Sequence, residues 1–258
     1  MIPASYKMIA FQTIVIKEVR RFLRIWIQTL VPPVITIALY FVIFGNLIGD
    51  RIGPMGGYTY MEFIVPGLIM MAVINNSFAN VVSSFFSQKF QRSIEELLVS
   101  PVPNHVILLG FVVGGVARGL CVGLIASVIA LFFSGVHMHN VFITVLVVLL
   151  ASVVFSLGGF INAVYANKFD DISIVPTFFL TPLIYLGGVF YSVELLPEFW
   201  KGVSQINPIF YMVNAFRYGI LGVSDVEIGF SLALLVGFTV ALFAFSLALL
   251  HKGDGLRH

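Results

Sequence analysis

FIVPGLIMMAVINNSFANVVSSFFSQ, residues 63–88, holds no charged side chain, and at Lys89 it gives way to Lys89-Phe90-Gln91-Arg92-Ser93-Ile94-Glu95-Glu96-Leu97-Leu98-Val99-Ser100-Pro101-Val102-Pro103. About 20 apolar residues suffice for a helix to cross the hydrocarbon core of a bilayer. The first stretch is therefore read as a crossing, and the second as a polar island held at the membrane surface. A further charge-free run, Gly119–Asn167, follows the island and is long enough for two more crossings.

The whole chain fits this reading. Of 258 residues, 59% are hydrophobic and 10% charged, against about a quarter charged in a soluble domain. No segment is polar enough to form a soluble domain, and a net charge of +2 argues against nucleic acid as a partner. The one cysteine, Cys121, allows neither an intrachain disulfide nor a cysteine metal cluster, and reads as a small packing residue. The first two dozen residues carry Lys7, Lys17, Glu18, Arg20, Arg21 and Arg24 and lack the apolar core of a secretory signal.

Charge-free stretches predict six spans: 25–49, 63–88, 112–134, 141–166, 172–193 and 228–250. The turn between the third and fourth falls at Gly135-Val136-His137-Met138-His139-Asn140. Residues 194–217 include an apolar piece too short to span and broken at Asn207-Pro208. They read as a re-entrant outer hairpin, which is tolerable at membrane depth only where protein shields its backbone. Lys7, Lys17, Arg20, Arg21, Arg24, Lys89, Arg92, Lys168, Lys252 and Arg257 fall on one set of flanks, and only Arg51, Lys201 and Arg217 on the other. The positive-inside rule makes the first set cytoplasmic, both termini included. Residues 1–24 form a basic amphipathic helix, with Lys17, Arg20, Arg21 and Arg24 opposite Val15, Val19, Phe22 and Trp26. Arg118 is read as a side chain snorkelling to the inner interface, with a buried functional pair as the other reading. The fold class is thus all-α and integral to the membrane, a single transmembrane domain over 1–258.

Ser93 and Glu96 have the spacing of a capping box, and Ile94, Leu97 and Leu98 make one apolar edge. Pro101 and Pro103 stop the helix, which gives about two turns within 92–101. So short a helix is marginal alone in water, and needs a surface, membrane or partner, to pack on.

The island Arg92–Val102, together with Pro182-Leu183-Ile184-Tyr185-Leu186-Gly187-Gly188-Val189-Phe190-Tyr191, Leu196-Pro197, Asn207-Pro208 and Arg217, resembles the type-2 permeases of the ATP-binding-cassette exporters. Among these it looks most similar to bacterial drug and polysaccharide exporter permeases, and the resemblance covers nearly the whole chain. It implies that Ser93, Ile94, Glu95, Glu96, Leu97 and Leu98 belong to a cytoplasmic coupling helix that docks on an ATPase subunit. It implies two permease copies with two ATPases, a homodimer being expected, in the bacterial inner membrane. It also implies that the outer hairpin lies over the exit path. The sequence has no G-x-x-x-x-G-K-[ST] loop, so ATP and Mg are expected on the separate ATPase chain. No catalytic constellation and no metal set is read here; His137 and His139 beside Met138 read as a solvated loop.

Two polar rows are left inside the spans. Asn76, Asn80 and Ser84 lie at helical spacing in the second, and Thr177, Thr181 and Tyr185 in the fifth. Amides in hydrocarbon are costly unless bonded. Each row is either a substrate path with polar handles or interhelical glue. Phe190, Tyr191 and Asn207 are the candidates for an exit gate. Gly115, Gly119 and Gly123 form a small-residue ridge for close packing. The expected function is export of an amphipathic, lipid-like or glycan substrate, driven by a partner ATPase. The other reading is a self-contained secondary transporter or channel, which would want ionisable residues at mid-membrane.

Overall fold

The computed structural model describes residues 3–135, 138–253 and 255, and among them it is helical, with a single isolated bridge between Met55 and Tyr58 and no strand. α1 (Ala4–Arg24) leads into a broken helix made of α2 (Trp26–Thr29), α3 (Val31–Tyr40) and a π-helical stretch, Phe41–Ile48, followed by α4 (Gly49–Ile52). Pro32 and Pro33 fall in the first turn of α3, where a missing N–H costs least, so the chain breaks before them, at Leu30. The Thr29 hydroxyl donates to the Phe22 and Ile25 carbonyls, at 3.0 and 3.2 Å, and so satisfies groups near the break.

α5 (Tyr60–Phe90) is the axis of the fold and the most buried of the long apolar helices. Its start is fixed by a capping box that sequence reading missed. Thr59 accepts from the Glu62 N–H at 3.3 Å, and Glu62 accepts from the Thr59 N–H at 2.9 Å. At 1.5 Å per residue its 31 residues reach about 46 Å, well past a hydrocarbon core of about 30 Å. α5 therefore carries Gln88 and Lys89 out to the short α6 (Ser93–Val99).

α7 (Asn104–Phe133) starts eight residues before the expected third span, directly after Pro103. Hydropathy marks where a helix is apolar, whereas the backbone ladder continues until a proline or cap stops it. Two glycine faces set its neighbours. A Cβ on Gly110 or Gly114 would come within 2.5 Å of Ile14 or Glu18 of α1. Cβ atoms on Gly115 and Gly119 would collide with Ser156 and Ser77, and one on Gly123 would lie 2.7 Å from Val73. The ridge predicted from sequence thus packs α7 against both α5 and α8 (Val141–Tyr165), a helix capped by Asn140, whose side chain accepts from the Ile143 N–H. Val136 and His137 of the preceding turn lie outside the described residues; His139 packs edge-on against Tyr218 at 5.5 Å.

The expected fifth span is shorter than its charge-free run. α9 (Asp171–Val175), a π-helical turn Pro176–Leu180 and α10 (Thr181–Leu186) form one apolar helix of 16 residues, which ends at Gly187-Gly188 rather than at Val193. Pro182 has no N–H to donate, and its ring crowds the preceding turn, so the ladder widens there. The Thr181 N–H and hydroxyl both turn to the Pro176 carbonyl, the hydroxyl at 2.8 Å. Gly188, at φ +74°, makes the reversal, and Arg217 binds its carbonyl.

Residues 194–217, expected as one re-entrant hairpin, fold as α11 (Glu198–Ile206) and the first part of α12 (Pro208–Leu221), with α12 almost wholly buried. α13 (Ile228–Lys252) closes the chain on Gly253, with one side on α8 and α12 and the rest exposed. Among the described residues five helices are long and apolar enough to cross a membrane: Trp26–Gly45, Tyr60–Phe90, Asn104–Phe133, Val141–Tyr165 and Ile228–Lys252. α6, the 166–170 turn and the last turn of α13 gather at one end. There the Lys89 ammonium donates to the Val164 and Ala166 carbonyls, at 2.5 and 2.7 Å, and Asn104 meets His251 at 3.3 Å.

Candidate functional site

At that same end α6 presents two unlike edges. Ile94 is fully buried, and Leu97 and Leu98 are half-buried against the chain's own core. The apolar edge predicted from spacing therefore already has its surface, which is this protein. What remains outward is Arg92, Ser93, Glu95, Glu96 and Val99, the last 87% exposed. The expected capping box is not formed. Arg92, at φ +59°, is the N-cap residue, and Ser93 sits inside the first turn, its hydroxyl donating to the Gln88 carbonyl at 3.3 Å. The tight exit from α5 sets this phase and shifts the helix start by one residue. Glu95 and Glu96 stay in the first turn, at the positive end of the peptide dipoles. In the adjoining turn the Asn167 and Lys168 N–H groups, 2.8 and 3.0 Å from Asp171, hold its carboxyl below the ordinary range.

Deeper in, the polar row of α5 is occupied by α1 and α7. Ile14, Glu18 and Phe22 form the buried face of α1, so a carboxylate sits where the helical wheel suggested only apolar groups. Glu18 lies 3.3 Å from the Arg21 guanidinium and accepts from the Ser84 hydroxyl at 2.6 Å. Arg21 Nη2 also donates to the Asn80 backbone and side-chain oxygens, at 2.8 and 2.9 Å. Arg118 turns inward instead of snorkelling, and its Nη2 meets Asn76 Oδ1 at 3.0 Å and the Thr29 carbonyl at 3.5 Å. Asn76, Asn80 and Ser84 are buried within one chain, and each bonds a charged group from another helix. Glu18 and Arg21 were missed as parts of this seam. Their signal was the single acid of a basic helix, spaced i, i+4 between Ile14 and Phe22.

The second polar row behaves differently. Thr177, Thr181 and Tyr185 are exposed on one face of α9–α10, beside the exposed Phe178 and Phe179. Tyr185 and Phe190 stack at 5.5 Å, and Phe190 also meets Tyr40 and Phe44 at 5.7 and 5.1 Å. The structure thus ties Phe190 to the first broken helix, through two aromatics that sequence reading did not select. Tyr191 is half-buried and outside this cluster. Asn207 is buried as a tie, its amide donating to the Leu183 carbonyl at 2.6 Å and its oxygen accepting from the Ile209 N–H at 3.0 Å. Arg217, fully buried, lies 4.0 Å from the centre of the Phe63 ring and donates to Gly188 at 2.6 Å.

The long buried axis, the short surface helix with its acidic outer edge and the broken apolar helix 171–186 all lie inside a stretch that matches a known family. Residues 9–221 match the ABC-2 type transporter family. The chain belongs to that family. It is 59% identical over 249 residues to the inner membrane transport permease YadH of Escherichia coli K12, covering 96% of this chain and 97% of that one. Nodulation protein J of Rhizobium meliloti is 23% identical over 215 residues, 83% of this chain and 82% of its own. Nodulation protein J of Sinorhizobium fredii is 24% identical over 206 residues, 80% and 79% respectively. The ABC-2 match takes in α6, both polar rows and Arg217, and stops where α12 ends.

Proposed function

We propose that this ABC-2 protein is the permease subunit of an ATP-driven exporter in the bacterial inner membrane, with α6 as the coupling helix that receives the motion of a separate ATPase. The observation that carries this reading is the division of α6. Its apolar edge is spent on the chain's own core, while Glu95, Glu96 and Val99 stand outward at the tip of the longest helix. A push on α6 is then a push on α5, and packed helices answer such a push by moving as rigid bodies. ATP and Mg belong to the partner chain. With α9–α10 as a short crossing, the chain makes six passes, α11–α12 forms the outer re-entrant element, and both termini are cytoplasmic, as the positive-inside rule requires.

Two permease copies meet, in this reading, through the exposed faces of α3 and α9–α10. Thr177, Thr181 and Tyr185 then line the path of an amphipathic, lipid-like or glycan substrate. Asn76 borders that path, while Asn80 and Ser84 hold α1 in place behind it. Phe190, with Tyr40, Phe44 and Tyr185, narrows its outer end, next to Tyr191 and the Asn207 tie.

The test is binding of the purified ATPase to the reconstituted permease. Glu95→Arg with Glu96→Arg, and separately Val99→Asp, should abolish binding while the permease keeps its helical content and unfolding profile. Undiminished binding by both variants would end the coupling assignment. Leu97→Asp is a poorer probe, because Leu97 packs inward and its loss would disturb α5 itself.

A further inference from the structure

Arg118 is the unbalanced charge of the seam between α1, α5 and α7. Among the described residues the one ion pair is Glu18 with Arg21, so the seam holds two guanidinium groups and a single carboxylate. Arg118 Nη2 is spent on Asn76 and Thr29, its Nε is buried without a partner, and its Nη1 bonds nothing among the described residues. An unpaired cation halfway along a membrane helix is costly; Arg118 is the fifteenth of the 30 residues of α7. The same side chain lines a groove of about 340 Å³ between α2–α3 and α5. Gln28, Thr36 and Asn75 bring further polar groups to it, and Pro32, Pro33, Ile37 and Met71 form an apolar wall. Asn75 makes no side-chain hydrogen bond among the described residues and is half-buried. The groove therefore offers one positive charge and open amide donors at one place, and a hydrocarbon-like wall beside them.

We infer that this groove binds the phosphate or carboxylate head of an amphiphile, with Arg118 as its counter-charge, Asn75 as a hydrogen-bond donor and the Pro32–Ile37 wall against its apolar part. A guanidinium suits either anion, because its planar donors match two oxygens at once. The inference deepens the proposed function, since the occupant would be the head of the transported amphiphile. Its test needs no ATPase, so failure here and failure of α6 docking are separate results.

The protein is reconstituted in phosphatidylcholine nanodiscs doped with phosphatidic acid, and the lipid it retains after release is read by native mass spectrometry. The wild type should retain phosphatidic acid over phosphatidylcholine. Arg118→Gln should lower that preference about tenfold, the loss of one charge-assisted contact, and Arg118→Lys should restore part of it. Asn75→Leu, which leaves the Glu18 and Arg118 bonds untouched, should lower it severalfold. Millimolar inorganic phosphate distinguishes the sources. Displacement of the lipid shows that the head alone occupies the site, and lack of displacement shows that the apolar wall is needed; either fits the inference. Phosphatidic acid held equally by the wild type and Arg118→Gln overturns it. Should Arg118→Gln fail to fold, an unchanged preference in Asn75→Leu does so alone.

Discussion

Replacing Glu18 by leucine removes the one carboxylate that the described residues bring to the interior seam, and the cost can be worked from its bonds. The Ser84 hydroxyl loses a charge-assisted acceptor at 2.6 Å, a contact of about 1.5–3 kcal/mol. Arg21 loses its counter-charge at 3.3 Å. Breaking a fully buried pair costs about 3–5 kcal/mol, but the Arg21 side chain is 30% exposed and keeps two Asn80 oxygens, which lowers that penalty. The buried leucine offsets part of the remainder, and Glu18→Leu should destabilise by about 3 kcal/mol. Arg21→Met leaves Glu18 buried with Ser84 alone and should cost about the same. If the two side chains act as a pair, the double variant should cost about 4 kcal/mol rather than about 6, a coupling near 2 kcal/mol. Unfolding in mixed micelles of rising SDS fraction, followed by near-UV circular dichroism, measures all three. Additivity within about 0.5 kcal/mol would refute the buried pair, and with it the claim that α1 is locked to α5 by charge.

Other consequences follow from single contacts. Gly119→Ala puts a methyl group into Ser77 and should cost about 1–3 kcal/mol as overpacking, read by the same unfolding assay. Lys89→Met uncaps the Val164 and Ala166 carbonyls and should cost about 2 kcal/mol, with raised amide exchange confined to the last turn of α8. Asn207→Ala should cost about 1 kcal/mol as a lost N-cap and loosen α10 from α12, seen as faster protease nicking at residues 187–197. The Asp171 tie is complete above the ordinary carboxylate value of about 3.9 and is lost as pH falls through its lowered folded value. Asp171→Asn should abolish that pH step in amide protection at Asn167 and Lys168, after correction for intrinsic exchange rates.

Charge-free runs located most apolar helices because hydration cost depends on composition alone. They misjudged helix ends, since an end is set by caps and prolines: α7 runs back to Pro103, and α10 stops at Gly187. The capped mini-helix was legible from Ser93 to Val99, but its phase was not, because the left-handed turn at Arg92 decides which residue caps. The two polar rows looked alike on paper. Placement separated them, with Asn76, Asn80 and Ser84 enclosed by α1 and α7, and Thr177, Thr181 and Tyr185 left outside.

The sequence by itself determined that this is a helical membrane protein, since 59% apolar composition cannot cover a soluble surface, and its motifs carried the resemblance to type-2 permeases. Only the tertiary structure decided that Glu18 is interior, that Arg118 has no carboxylate partner among the described residues and that Ile94 faces its own chain. Each of those facts depends on which helix lies opposite. Periodicity names the face a residue occupies, while the close approach allowed by Gly110, Gly114 and Gly119 settles what that face meets.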